Sequence, residues 1–132
     1  MPHLQFDVEG IPVPQGSFRH IGGGRIIAAN PKLNTWRETI AQVINKHPEA
    51  PHELDVPVRI DLVFVMPRPK TVTRQHHTVK PDIDKLARAC LDAISLYRYA
   101  QLLKDDSLVT DLHVAKRYTL DGWTGVHIKL FW

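Results

Sequence analysis

The chain has a single cysteine in 132 residues, Cys90, so no disulfide forms within it. Set among Ala89, Leu91 and Ala93, that thiol reads as a buried, inert group rather than a nucleophile. No apolar run approaches the roughly 18 residues that span a bilayer, which excludes a membrane helix. The opening Met1-Pro2-His3-Leu4-Gln5-Phe6-Asp7 lacks the basic start and apolar stretch of a secretory signal, so the expected location is cytoplasmic. No Gly-Lys-Ser/Thr follows the Gly22-Gly23-Gly24 run, which removes a P-loop and leaves the triplet as a hairpin tip. Acids are missing altogether between Asp61 and Asp82, where Arg68, Lys70, Arg74, His76, His77 and Lys80 fall instead. In a chain of formal charge +3, that stretch reads either as a phosphate-contacting footprint or as a solvated basic loop.

What is present suits a soluble domain: 43% hydrophobic and 23% charged residues, in a length that fits one domain over residues 1–132. Leu4, Phe6 and Val8 alternate with polar residues and predict a strand over 2–9, closed by Gly10 and the Pro12/Pro14 pair. Residues 12–29 read as a long loop. Asn30-Pro31 is a capping residue followed by a proline suited to a first helical turn, and Leu33, Trp36, Ile40, Val43 and Ile44 then recur at helical spacing, predicting a helix over 31–46. Trp36 on its apolar face is expected in the core. After a linker over 47–57, Val58, Ile60, Leu62, Phe64 and Met66 alternate with Val63 and Val65 between them, the pattern of a central strand covered on both faces. Ile83, Leu86, Ala87, Cys90, Leu91 and Ile94 predict a second amphipathic helix over 83–96. The alternations around Leu112 and Val114 and around Val126, Ile128 and Leu130, joined through Asp121-Gly122, predict a closing hairpin. The order β-α-β-α-β-β is that of an α+β domain, two main helices on a mixed or antiparallel sheet of about four strands.

The chemistry concentrates in Lys80-Pro81-Asp82-Ile83-Asp84-Lys85-Leu86-Ala87-Arg88 and, past the helix, Lys104-Asp105-Asp106. Pro81 favours an extended approach, which sets Asp82 just outside the helix and Asp84 at its mouth, both facing one point. The helix N-terminus favours their ionised forms, and neighbouring carboxylates without a cation repel. Oxygen donors of this kind match Mg²⁺, which takes a few carboxylates, keeps waters and binds phosphate, better than they match zinc. One acid of the Asp105-Asp106 pair is placed to complete the shell. Arg88, one turn beyond Asp84, is within reach of a phosphate held there. His76 and His77 have no third His or Cys nearby and read as phosphate contacts or solvated side chains. Lys116 points either toward the site or to solvent.

Residues 81–94, then Lys104-Asp105-Asp106-Ser107-Leu108-Val109 and Lys116, resemble the signature of RusA-type Holliday junction resolvases. The opening Gly10-Ile11-Pro12-Val13-Pro14-Gln15-Gly16-Ser17 and the segment from Asn30-Pro31-Lys32 to Trp36-Arg37 resemble phage-type members, so the likeness covers nearly the whole chain. The resemblance implies a homodimeric endodeoxyribonuclease, dependent on Mg²⁺ or Mn²⁺ and on no small-molecule cofactor, that cuts four-way DNA junctions by paired nicks. It implies Asp82, Asp84 and Asp106 as metal ligands. Where the family commonly carries a catalytic lysine this chain has Arg88, which clamps phosphate and neutralises charge but does not serve as a base; Lys85 is the alternative cation. Arg19, Arg25, Arg68, Lys70, Arg74, Lys80, Lys85 and Lys116 are the expected DNA-backbone contacts. Two other readings stay open on the residues alone: a DNA-binding protein without catalysis, and a different metal-dependent phosphate-processing enzyme.

Overall fold

The structure is a computed structural model and describes residues 2–16, 18–20, 26–28 and 31–132, with 18–20 and 26–28 described through their backbone. Strand β1 (His3–Glu9) buries Phe6 and Val8 and exposes Gln5, Asp7 and Glu9, as its alternation requires. It ends at Gly10, with φ +147°, where a Cβ would stand 2.9 Å from the Trp36 ring; the bare backbone lets that indole lie against the strand end. Short strands β2 (Phe18–His20) and β3 (Ile26–Ala28) pair antiparallel, so the expected long loop carries a small hairpin of its own. The glycine run between them, Arg25 and the expected cap Asn30 lie outside the described residues.

Helix α1 (Leu33–Lys46) buries Leu33, Trp36, Ile40, Ala41 and Ile44 along one face; Lys32 holds its cap position without a side-chain cap bond. Strand β4 (Val58–Met66) is followed by the basic loop and by helix α2 (Ile83–Ser95), which buries Leu86, Ala87, Ala89, Cys90, Ala93 and Ile94. A 3₁₀ turn (Asp106–Leu108) leads into β5 (Val109–Tyr118), and β6 (Gly125–Phe131) follows.

The four long strands form one mixed sheet in the order β1-β6-β4-β5. β6 lies antiparallel to both β1 and β4, whereas β5 runs parallel to β4. The expected hairpin of the last two strands is therefore not formed: β5 and β6 flank β4 on opposite sides. The chain crosses the end of β4 between them, where the Thr119 N–H donates to the Met66 carbonyl at 2.8 Å. Burial explains the choice. Val126, Ile128 and Leu130 are fully buried and need cover from both neighbours, while most of β5 is exposed and suits an edge. Both helices contribute to one hydrophobic core with the sheet face formed by Phe6, Val8, Ile60, Leu62, Phe64, Val126, Ile128 and Leu130. The opposite face carries Asp7, Arg59, Asp61, His127 and Lys129.

Candidate active-site cleft

The Asp82 carbonyl accepts from the backbone N–H groups of Lys85 and Leu86, starting α2 one residue after an extended Asp82 (φ −69°, ψ 143°). Asp84 stands in the first turn, and Arg88 and Asp92 follow it at four-residue intervals on the same face. Across from them Asp106 projects from the 3₁₀ turn that precedes β5. Asp84, Arg88, Asp92 and Asp106 line one open cleft of about 430 Å³, floored by Ile83, Ala87, Leu91, Leu112 and Val114. Its floor is apolar and its rim carries three acids and one guanidinium.

Each acid has a distinct setting. Asp84 is 69% exposed and pairs with Lys85 at 3.2 Å; that contact holds its carboxyl below the usual carboxylate range, so it is ionised at neutral pH. Asp105 accepts the Ser107 backbone N–H at 2.9 Å as the cap of the turn, and the Ser107 side chain first and that backbone bond second hold its carboxyl low, while its neighbour Asp106 lines the cleft. Of the two adjacent acids, geometry thus assigns one to structure and one to the cleft. Asp82 diverges from Asp84 instead of sharing its focus. It lines a neighbouring pocket with His77, Thr78, Val79, Lys80 and Lys116, and its carboxylate pairs with Lys80 at 2.9 Å. The cause is the helix boundary between them: one residue lies in extended chain and the other inside a helical turn, so the two side chains leave in different directions.

Asp92 lines the cleft and pairs with Arg37 of α1, a contact that spacing alone does not single out. Burial pushes the Asp92 carboxyl up, the Arg37 guanidinium opposes that rise, the charge of Asp106 adds to it, and the Gln15 amide and the more distant Arg88 charge oppose it weakly. Arg37 Nη2 donates to Asp92 Oδ2 at 2.9 Å and also to Gln15 Oε1. Arg37 and Asp92 both fall in segments that carry the family resemblance, and Asp92 lies two turns beyond Asp84, but nothing in the sequence pairs Arg37, on another helix, with Asp92.

The basic loop is organised around Tyr118. Arg74 Nε donates to the Tyr118 hydroxyl at 2.9 Å, and the guanidiniums of Arg68 and Arg74 stand 5.0 and 5.9 Å from the ring centre. His77, expected in contact with phosphate or solvent, is instead buried 4.8 Å from the same ring, whereas His76 is exposed. Lys116 Nζ donates to the carbonyls of Val79 and Pro81 at 2.7 and 2.8 Å, tying β5 to the segment that delivers Asp82. Lys70 and Lys80 are exposed beside it. Arg19 is described only as a residue of β2.

The fold is thus an α+β scaffold with a carboxylate-rimmed cleft along the start of α2 and a basic loop before that helix. Residues 7–130 match the endodeoxyribonuclease RusA family, and the chain belongs to that family, which places it among the DNA endonucleases. It is also 32% identical, over 98% of its own length and 97% of the relative's, to the uncharacterized protein YqaN of Bacillus subtilis strain 168. Among the described residues, no helix is long and apolar enough to cross a membrane.

Proposed function

We propose that the protein is a structure-specific endodeoxyribonuclease that resolves four-way DNA junctions by paired nicks, working as a homodimer on a substrate of twofold symmetry. The observation that carries this reading is the convergence of Asp84, Arg88 and Asp106 on one cleft from α2 and the turn before β5.

The donor set suits a hard divalent ion. The cleft lining offers carboxylate oxygens and contains neither His nor Cys. Among the described residues no group of three or more His, Cys, Asp or Glu is close enough to hold an ion unaided. The carboxylate lining suits Mg²⁺, with Mn²⁺ as a substitute, since Mg²⁺ is bound through one or two carboxylates together with waters and substrate phosphate. Asp84 and Asp106 would hold the ion in the cleft, and Asp82, which lines the neighbouring pocket and pairs with Lys80, would join them only by leaving that pairing. When bound, the ion supplies positive charge at the scissile phosphate and lowers the proton affinity of the attacking water. Arg88 neutralises charge that develops on the phosphate as the bond breaks, a task that needs a permanent cation and no proton transfer. Lys70, Lys80, Arg19 and Arg25 bind flanking backbone, while Arg68 and Arg74, gathered on Tyr118, present the edge of the same footprint.

The test is cleavage of a labelled synthetic four-way junction beside a matching linear duplex, in Mg²⁺ and in EDTA. The wild type is expected to give paired nicks in the junction alone, lost in EDTA. Asp84→Asn and Asp106→Asn are each expected to cut at least 100-fold more slowly while still binding the junction, the scale of losing a metal's charge stabilisation. Junction binding with no cutting by the wild type in either metal would overturn the catalytic assignment.

A further inference from the structure

On α2 a guanidinium stands between two carboxylates, Asp84 one turn before Arg88 and Asp92 one turn after. At that spacing an arginine ordinarily closes an ion pair with one of its neighbours. Here both are taken. Lys85 holds Asp84 at 3.2 Å and Arg37 holds Asp92 at 2.9 Å. Among the described residues Arg88 has neither a hydrogen bond nor a contact ion pair; it faces the same cleft and acts on Asp92 only as a charge at longer range.

The two pairings are unequal. Lys85–Asp84 is exposed and exchanges readily with solvent. Arg37–Asp92 is shielded, with side-chain exposures of 11% and 22%, and it joins α1 to α2. It is also braced: Gln15 accepts from the Arg37 guanidinium through Oε1, and its backbone N–H donates to the Lys85 carbonyl at 3.0 Å. Of the two competitors for Arg88, the better shielded is thus the one held by a fixed partner. An unrestrained Asp92, partly desolvated and one turn from Arg88, would have every reason to capture it.

We propose that Arg37 is a positioning residue that keeps the phosphate-binding arginine available: by holding Asp92 it leaves Arg88 unpaired for the incoming backbone phosphate. The proposal rests on reading the cleft as a nuclease site, and its test has one arm that does not.

In the free protein, the side-chain Nε–Hε NMR signal of Arg88, assigned by its loss in Arg88→Gln, reports its pairing directly. Arg37→Gln is expected to shift and sharpen that signal as Asp92 turns to Arg88, and Asp92→Asn in the same chain is expected to return it. In junction cleavage, Arg37→Gln is expected to lower kcat by about fivefold with little change in KM, the occupancy that one ion pair at the strong end of the surface range withdraws. The double variant is expected to recover to within about twofold of wild type, since no competing carboxylate remains. Gln15→Ala leaves both charges in place and loosens only the brace; it is expected to move the Arg88 signal less and in the same direction, and it serves where Arg37→Gln does not fold. An Arg88 signal unmoved in Arg37→Gln, or in Gln15→Ala where that stands in, overturns the proposal. So does a kcat loss that the second substitution leaves in place, the mark of a contact that merely fastens two helices. A wild type that cuts no junction would overturn the nuclease reading instead and leave the NMR arm to judge the role of Arg37.

Discussion

The surroundings of His77 favour a neutral imidazole. Burial lowers its pKa from 6.5, and the nearby cations Lys116 and Arg74 lower it further. The unfolded chain therefore binds more protons than the folded one as the pH falls through that ordinary value. Stability is full above about pH 6.5 and declines below it, toward the depressed folded value. The urea midpoint is expected to be level from about pH 8 to 7 and to fall at lower pH, and His77→Phe is expected to flatten that fall, leaving only the shallower contribution of the carboxylates. At this scale much of the candidate site is legible from spacing: Asp82, Asp84 and Arg88 fall in one short segment, and Asp106 belongs to an adjacent pair. The focus of the two motif acids is not legible, because it depends on which residue the first helical turn admits. Nor is the Arg37–Asp92 contact, which joins positions 55 residues apart and leaves no periodic trace.

At the scale of elements, the strand and helix boundaries follow the apolar periodicities closely, since each reflects a face that has to be covered. Strand pairing does not. Asp121-Gly122 is a sound local turn signal, but whether the strands it joins become neighbours is decided by β4, which takes the place between them. Gly125 marks the point where β6 enters. With φ +155°, a Cβ there would stand 2.0 Å from the Val8 carbonyl oxygen and 2.8 Å from the Trp123 ring. Gly125→Ala is expected to destabilise by about 2–4 kcal/mol, combining a strained backbone with displacement of β1, as read by chemical denaturation. The loop before α2 depends on a different tie. Lys116→Met is expected to leave the melting temperature within a few degrees, to speed amide exchange over residues 78–82, and to slow cleavage by about tenfold, because the segment that delivers Asp82 loses its anchor at Val79 and Pro81.

For the molecule as a whole, the distribution of charge matters more than its sum. The net charge is only +3, yet the cleft rim gathers three acids while the neighbouring 67–81 segment contains none. Without a divalent ion, those acids repel the same phosphates that the loop attracts. Asp84→Asn is therefore expected to bind junction DNA more tightly than wild type in EDTA, by about two- to fivefold at low salt, with the gain shrinking as salt rises. Fluorescence anisotropy titrations at two ionic strengths measure this, and equal affinities at low salt would show that the cleft stays away from the backbone.

β6, at the heart of the sheet, pairs Leu130 with Leu4 on one side and with Ile60 on the other. Until that strand arrives, β1 has no partner in the sheet and β4 presents an open apolar edge. Pairing β1 with β6 closes a loop that spans nearly the whole chain, the contact of this topology with the greatest loop-closure cost, and it is expected to slow folding. The time before closure is when the chain is most exposed to pairing with a neighbour's edge.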